Sequence, residues 1–504
     1  MNKSLFLGAI GTALLLNGCV MAPKYTRPEA PIPSGLPSGA AYADSPSPQQ
    51  EAQIVAELRW QDIFPDPKLQ QVIAMALTNN LDLRLAALNV ERARAIYGIQ
   101  RAELLPSLNA TAGGSKQRSS ADLTTPGDPR TTEQYNVNLG IVSWEVDLFG
   151  RIRNLKEQGL QEYLATEEAR RGAQIALVAE VARAYLVLAT DRQNLNLAQS
   201  TLEAQQGVYE LIRRQYESGL ATELDLNRSQ TQVDAAKGDV ARYTQMVAQD
   251  LNGLNLLAGS PVPEDLLPVD LAGVLPPEDI EPGLSSEALL LRPDIIAAEH
   301  QLQAAYAYIG AARAAFFPRI SLTTLIGTAS DDLSGLFGSG TGTWSFAPQI
   351  AMPIFDARTW SAYRVSKATR EIALAQYEKA IQTAFREVAD SLAVRGTVDQ
   401  QVAAQQSIVD AARKIYDLSD RRYAQGIDSY LGVLDAQRSL YGAQQGLTSL
   451  HLSRLANRVR LYAVLGGGGG PVETPSNADT RDLDAGHPEG GRPRAPEYIG
   501  TPKE

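Results

Sequence analysis

Two hydrophobic periods organise the chain. Val181, Leu188, Leu195, Leu202, Tyr209 and Tyr216 fall at steps of seven, and 207 residues later Val388, Arg395, Val402, Val409, Tyr416 and Tyr423 do the same. An unbroken heptad step predicts long helices packed in the manner of a coiled coil. The intervening positions (Ala184, Asp191, Ala198, Gln205, Ile212) are mostly small or polar, which points to a broad assembly of many helices. From about residue 154 to about 218 there is no proline and little glycine, so one helix of about 65 residues is expected, roughly 100 Å long. Gly219 fits the left-handed position that ends such a helix. Thr222 fits an N-cap with Asp225 as its capping-box partner. Gly426 and Ser429 hold the matching places in the second half. In each half a helix of about 35 residues is expected to run back from this turn. A third, shorter helix precedes each strand pair, about 67–105 and about 286–317, halted by Pro106 and Pro318.

The second period is two. Residues 107–114, 135–146, 319–327 and 344–352 alternate apolar and polar positions, for example Val137, Leu139 and Ile141 against Asn136, Asn138 and Gly140. The phase slips near Val142–Trp144, which predicts a local irregularity. Segments of about ten residues with one apolar face carry the signature of transmembrane β-strands. Four such strands cannot close a barrel, and a bilayer does not tolerate open sheet edges. Oligomerisation removes the edges, and three copies supply twelve strands. The polar, turn-rich segments 115–134 and 328–342 would then be extracellular, and the helices periplasmic.

Motifs repeat along with the periods. "AIYGIQRAELLP" (95–106) aligns with "AYIGAARAAFFP" (307–318), and "RRQYESGLATELDL" (213–226) with "DRRYAQGIDSYLGV" (420–433). The organisation expected is therefore a signal peptide (1–18), an extended lipidated segment (19–66), a first repeat (67–260), an equatorial connection (261–285), a second repeat (286–465) and a disordered tail (466–504). The fold class expected is α+β: four strands per chain in a twelve-strand membrane barrel shared by three copies, with an internal two-fold repeat and long helices continuing beyond the barrel.

The N-terminus supports a bacterial export route. Lys3 precedes an apolar run from Leu5 to Leu16, and Leu16 and Gly18 flank a lipobox-like stretch ending in Cys19, the only cysteine of 504 residues. Cys19 is the expected lipid-attachment residue. A single cysteine excludes disulfides and thiolate metal clusters, and the three histidines are far apart in sequence. No hydrolase, metalloprotease or P-loop motif is present. The net charge of −11 argues against nucleic acid as a partner. No cofactor is expected beyond the covalent lipid. Glu167–Glu168 and Asp331–Asp332 are read as solvated surface pairs.

In combination these stretches resemble the TolC/OprM-type outer-membrane efflux channels, in their NodT-like lipoprotein branch. The likeness runs from Cys19 to about Gly466 and is carried by "CVMAPKYTRP" (19–28), "FPDPKLQQVIAMALTNNLDLRLA" (64–86), "SWEVDLFGRIR" (143–153), "LLLRPDIIAAEHQLQAAYAYIGAARAAFFPRISLTTLIG" (289–327) and "YAQGIDSYLGVLDAQRSLYGAQQ" (423–445). The resemblance implies a homotrimeric exit duct embedded in outer-membrane lipids and serving a tripartite pump, with a periplasmic membrane-fusion adaptor and an inner-membrane RND-type transporter as partners and drugs or other small toxic compounds as cargo. It also implies a gate at the periplasmic tip, with Leu431 in an apolar ring and Asp435 in a carboxylate ring. Asp225, Arg422, Tyr423 and Tyr216 match latch positions between tip helices. Gly432 stands where some relatives carry a second ring aspartate, and Asp428 where some carry a latch arginine. Two readings compete. A lipid-anchored coiled-coil spacer would explain the heptads and Cys19, but not four alternating segments placed symmetrically in both halves. An anchored enzyme would need a constellation of nucleophile, base and orienting group that the sequence lacks.

Overall fold

The computed structural model describes residues 21–42, 59–279 and 286–467. The signal segment, Cys19 and the chain after 467 lie outside these residues. The first repeat comprises α1 (Pro67–Asn79), α2 (Leu81–Ala102), β1 (Leu108–Arg118), β2 (Thr131–Glu145), α3 (Arg151–Glu217) and α4 (Glu223–Ala258). The second comprises α5 (Pro293–Ala314), β3 (Arg319–Ser330), β4 (Gly342–Ala351), α6 (Ala357–Ala424) and α7 (Tyr430–Val464). Helix α3 has 67 residues and α6 has 68, so each reaches about 100 Å. Adding 212 to the bounds of α2 (81 and 102) gives those of α5 (293 and 314).

Two expected helices differ from the sequence reading. The one expected over 67–105 is broken at Asn80, whose extended backbone (ψ 128°) closes α1 and opens α2. Its Oδ1 accepts from Leu83 N at 2.9 Å and its Nδ2 donates to Leu257 O at 3.0 Å, so the break is built by a side chain with a tertiary partner. The one expected over 286–317 begins as a 3-10 turn, Ser286–Leu291, and becomes α-helical at Pro293, a residue suited to the first helical position.

The core lies at the equator of the helical region. Val181, Tyr185, Leu186 and Leu188 of α3 meet Leu254 of α4, Ile295 of α5, Tyr377, Ile381 and Val388 of α6 and Tyr462 of α7. Leu267, Leu271 and Val274 of the connection close over it. Each such side chain contributes about 1.5–3 kcal/mol on burial. Helix α3 holds the one stretch, among the described residues, apolar and long enough to cross a membrane, and half of that stretch is buried in this core.

The four strands form one antiparallel sheet in the order β1-β2-β3-β4, longer than the sequence pattern predicts at the polar ends. Its register places Leu108, Ile141, Thr324 and Phe346 in one row, and Ala110, Leu139, Ile326 and Trp344 in the next, so the apolar positions share one face. The opposite face carries Asn109, Asn138, Thr323 and Ser345. The phase slip is a β-bulge: three residues on β3, from Leu322 to Thr324, oppose four on β2, from Ile141 to Trp144. Ser143 takes up the extra residue with φ 54°, which returns Trp144 to the apolar face. Ion pairs bracket the apolar band. Lys116–Glu133 stands at one end, and Glu145 with Arg151 (2.8 Å) and Arg319 (2.9 Å) at the other.

Residues 21–42 run as a strap along the second repeat. Arg313 Nη1 donates to Met21 O at 3.2 Å, Tyr25 Oη donates to Glu299 at 3.0 Å, and Ala41 lies against Gly396 on α6.

Candidate periplasmic gate

Both long helices end in the same turn. Gly219 (φ 72°) donates to Tyr216 O at 2.9 Å, and Leu220 N donates to Gln215 O at 2.7 Å. Gly426 (φ 73°) donates to Tyr423 O at 2.8 Å, and Ile427 N donates to Arg422 O at 2.9 Å. The positive φ requires glycine at both places. Thr222 caps α4: its Oγ1 accepts from Asp225 N at 3.2 Å and donates to the Asp225 carboxylate at 2.6 Å. Ser429 precedes α7 but makes no side-chain cap, contrary to the expectation from the first repeat.

A small apolar cluster joins the two turns. Ile212 of α3 packs with Tyr430, Val433 and Leu434 of α7, flanked by Tyr416, Tyr423 and Leu226. The rings of Tyr423 and Tyr430 lie 5.2 Å apart, and Tyr423 Oη donates to Gln215 Oε1 at 3.4 Å. Burial raises the phenol pKa of Tyr423, with the nearby Asp225 charge adding to it. Burial also raises that of Tyr430, whose hydroxyl has no partner among the described residues.

The expected latch residues do not form one cluster within the chain. Arg422 binds Asp428 of its own turn, with Nη2 3.0 Å from Oδ1. The residue that departs from the resembled pattern thus supplies the arginine's partner. Asp225 faces Thr222 at the start of its own helix and approaches Tyr423 without a hydrogen bond. Tyr216 points outward. Tyr423 alone of the four joins the two repeats directly.

Leu431 and Asp435 lie about one turn apart on the exposed side of α7, whereas Tyr430, Val433 and Leu434 are buried. Leu431 is 42% exposed beside the buried cluster. Asp435 is exposed and pairs with Arg438 at 3.2 Å. Arg438 was not singled out in the sequence, although its place three residues after Asp435 on a helix is the usual spacing for such a pair. The face therefore presents an apolar side chain followed by a carboxylate with a cation beside it. Subtracting 207 gives the counterparts in α4: Leu224, 58% exposed, and Arg228. No group of three or more metal-ligating side chains occurs among the described residues.

Comparison with known proteins gives this architecture its class. The outer membrane efflux protein family model matches residues 72–260 and 284–467, one block per repeat, and the chain belongs to that family. It is an outer-membrane efflux channel protein and not an enzyme. It is 48% identical over 472 residues to the toluene efflux pump outer membrane protein TtgC of Pseudomonas putida, covering 93% of this chain and 96% of that one. Among solved structures it resembles a membrane protein from Pseudomonas aeruginosa (40% identity, 89% of this chain and 98% of that one, TM-score 0.82). It also resembles the MtrE outer membrane channel of Neisseria gonorrhoeae (38% identity, 89% and 98%, TM-score 0.79). The anchored-spacer reading falls with this result.

Proposed function

We propose that three copies of the chain form the exit duct of a tripartite pump, gated at Leu431 and Asp435, fed through a periplasmic adaptor by an RND-type transporter, and carrying drugs or other small toxic compounds. One observation carries the assembly. Helix α5 is held between α3 and α6 and buries twelve of its 22 residues. Its counterpart α2 packs against α3 and buries none of its 22. By the repeat, the missing neighbour of α2 is an α6, and the α6 of the same chain is already on α5. A second copy supplies it. The sheet has the same deficit: β2 pairs with β3 across the repeats, while β4 and β1 each keep an open edge for the same pairing between chains. The exposed row Leu81, Leu85, Leu88, Ile96 and Ile99 on α2 is the surface this contact buries.

A contact inside the chain specifies a test. His300 Nδ1 lies 2.6 Å from Gln161 Oε1. The counterpart of His300 is Leu88 (300 − 212) and that of Gln161 is Ala368 (161 + 207). In a Cys19→Ser background, Leu88→Cys with Ala368→Cys should give an oxidised, covalently closed trimer on a non-reducing gel. Cross-linking within one chain, or none, would remove the assembly.

The lipid on Cys19 belongs to the same reading. Met21, two residues on, is bound to Arg313 just before the start of β3. Two residues span about 7 Å at most. On this reading the lipid positions the trimer rather than holding it in the membrane. Cys19→Ser with an exchanged signal peptide should still yield membrane-inserted trimers.

A further inference from the structure

The repeats differ sharply at one buried site. Asp191 of α3 is 6% exposed, in the first turn below the core residues Leu186, Leu188 and Ala189. It faces Asp250 of α4, whose Oδ2 is buried without a hydrogen-bond partner among the described residues. Asp250 as a whole is partly exposed, but two carboxylates that meet through a buried oxygen cannot both be ionised cheaply. Adding 207 gives the counterparts in α6 and α7: Val398, and Asn457, whose Nδ2 donates to Ser391 O at 3.0 Å. The second repeat meets the same helix crossing with an apolar side chain and a satisfied amide.

We propose that Asp191 and Asp250 share one proton and form a pH-dependent clasp between the long helix and the return helix of the first repeat. Protonated, one carboxyl donates to the other and fills the orphaned acceptor. Deprotonated, the pair places two like charges between packed helices. The surrounding groups leave this proton as the means of balancing the pair. Among the described residues, Asp191 is the one charged group acting on Asp250. Arg192, next along α3, is turned to Glu264 (2.8 Å) and Pro268 O (2.9 Å) of the connection. On α7, which also packs on α3, Gln193 of α3 meets Thr448, a neutral partner, and His451 is held neutral to lower pH by burial and by Arg454. Burial, then Asp191, raises the Asp250 pKa to about 7, so the clasp would open across the neutral range.

The sign follows from the raised value. Between about pH 4 and about 7 the folded chain holds a proton that the unfolded chain has released, so stability falls as pH rises through this window and levels off above it. The test uses the full-length detergent-solubilised channel. The melting temperature of the wild type should drop between pH 5.5 and pH 8, and Asp250→Asn and Asp191→Asn should each flatten that drop while remaining folded. Infrared spectroscopy of the native channel provides the second readout: a carboxylic-acid carbonyl band that persists at pH 6, vanishes by pH 8 and is absent in Asp250→Asn. Equal pH slopes in wild type and Asp250→Asn, or no protonated carboxyl at pH 6, would overturn the clasp.

Discussion

The two repeats share a skeleton and differ in chemistry. Their return helices have 36 and 35 residues and their tip glycines sit at φ 72° and 73°. At the equator they diverge. In the first repeat Leu188, Val247 and Leu251 contribute to the core and the connection covers them. Their counterparts in the second are Arg395, Arg454 and Arg458, which line a cleft of about 310 Å³ with Asp279 and Asp399. Arg395 reaches Asp279 at 3.3 Å and Arg454 reaches Asp399 at 3.5 Å. Repetition preserves what sets length and turn geometry, because a change there would put the two halves of a barrel out of step. It leaves side chains at crossings free to vary wherever the local neighbours can satisfy them.

Breaking the equivalence of α2 and α5 should have the largest effect. Leu85→Glu with Ile99→Glu places charges in the surface that only another copy covers. We expect loss of the detergent-resistant trimer and of conductance in planar bilayers, with helix content by circular dichroism kept. Retention of the trimer would show that α2 faces solvent.

Next comes the core. Leu186 is fully buried, whereas its counterpart Ala393 is half-buried. Leu186→Ala should cost about 2–5 kcal/mol, readable as a fall in melting temperature. The gate follows. Leu431→Ala should raise the resting conductance, and its first-repeat counterpart Leu224→Ala should do so less. Asp435→Ala should weaken block by a multivalent cation added from the periplasmic side, whereas Arg438→Ala should strengthen it by exposing the carboxylate. Unchanged block in both variants would place the constriction elsewhere.

The smallest effect sharpens the equatorial comparison. Val398→Asp with Asn457→Asp transplants the carboxyl pair into the second repeat. Melting temperature should then fall more steeply between pH 5.5 and 8 than in the wild type. An unaltered slope would mean that the second crossing is open enough to hydrate both charges.

Local rules made much of the fold legible. Long proline-free heptads, glycines at the ends of helices and alternating strands depend on neighbours within a few residues, so the long helices, their turns, the strands and the bulge at Ser143 could be read from the chain. The repeat, visible as fixed offsets, extended that reading to which helices correspond. Other features required the folded chain. The break at Asn80 depends on a carbonyl 177 residues away, and the pairing of Arg422 with Asp428 depends on how a turn folds back. The shared site of Asp191 and Asp250 exists only where two helices cross, since nothing in either local sequence marks one acid as the other's partner. The outward row on α2 likewise gains its meaning only from the partner its counterpart has and it lacks. Periodicity is a property of the backbone's own geometry and is written in one dimension, whereas burial, orphaned acceptors and missing neighbours are properties of space.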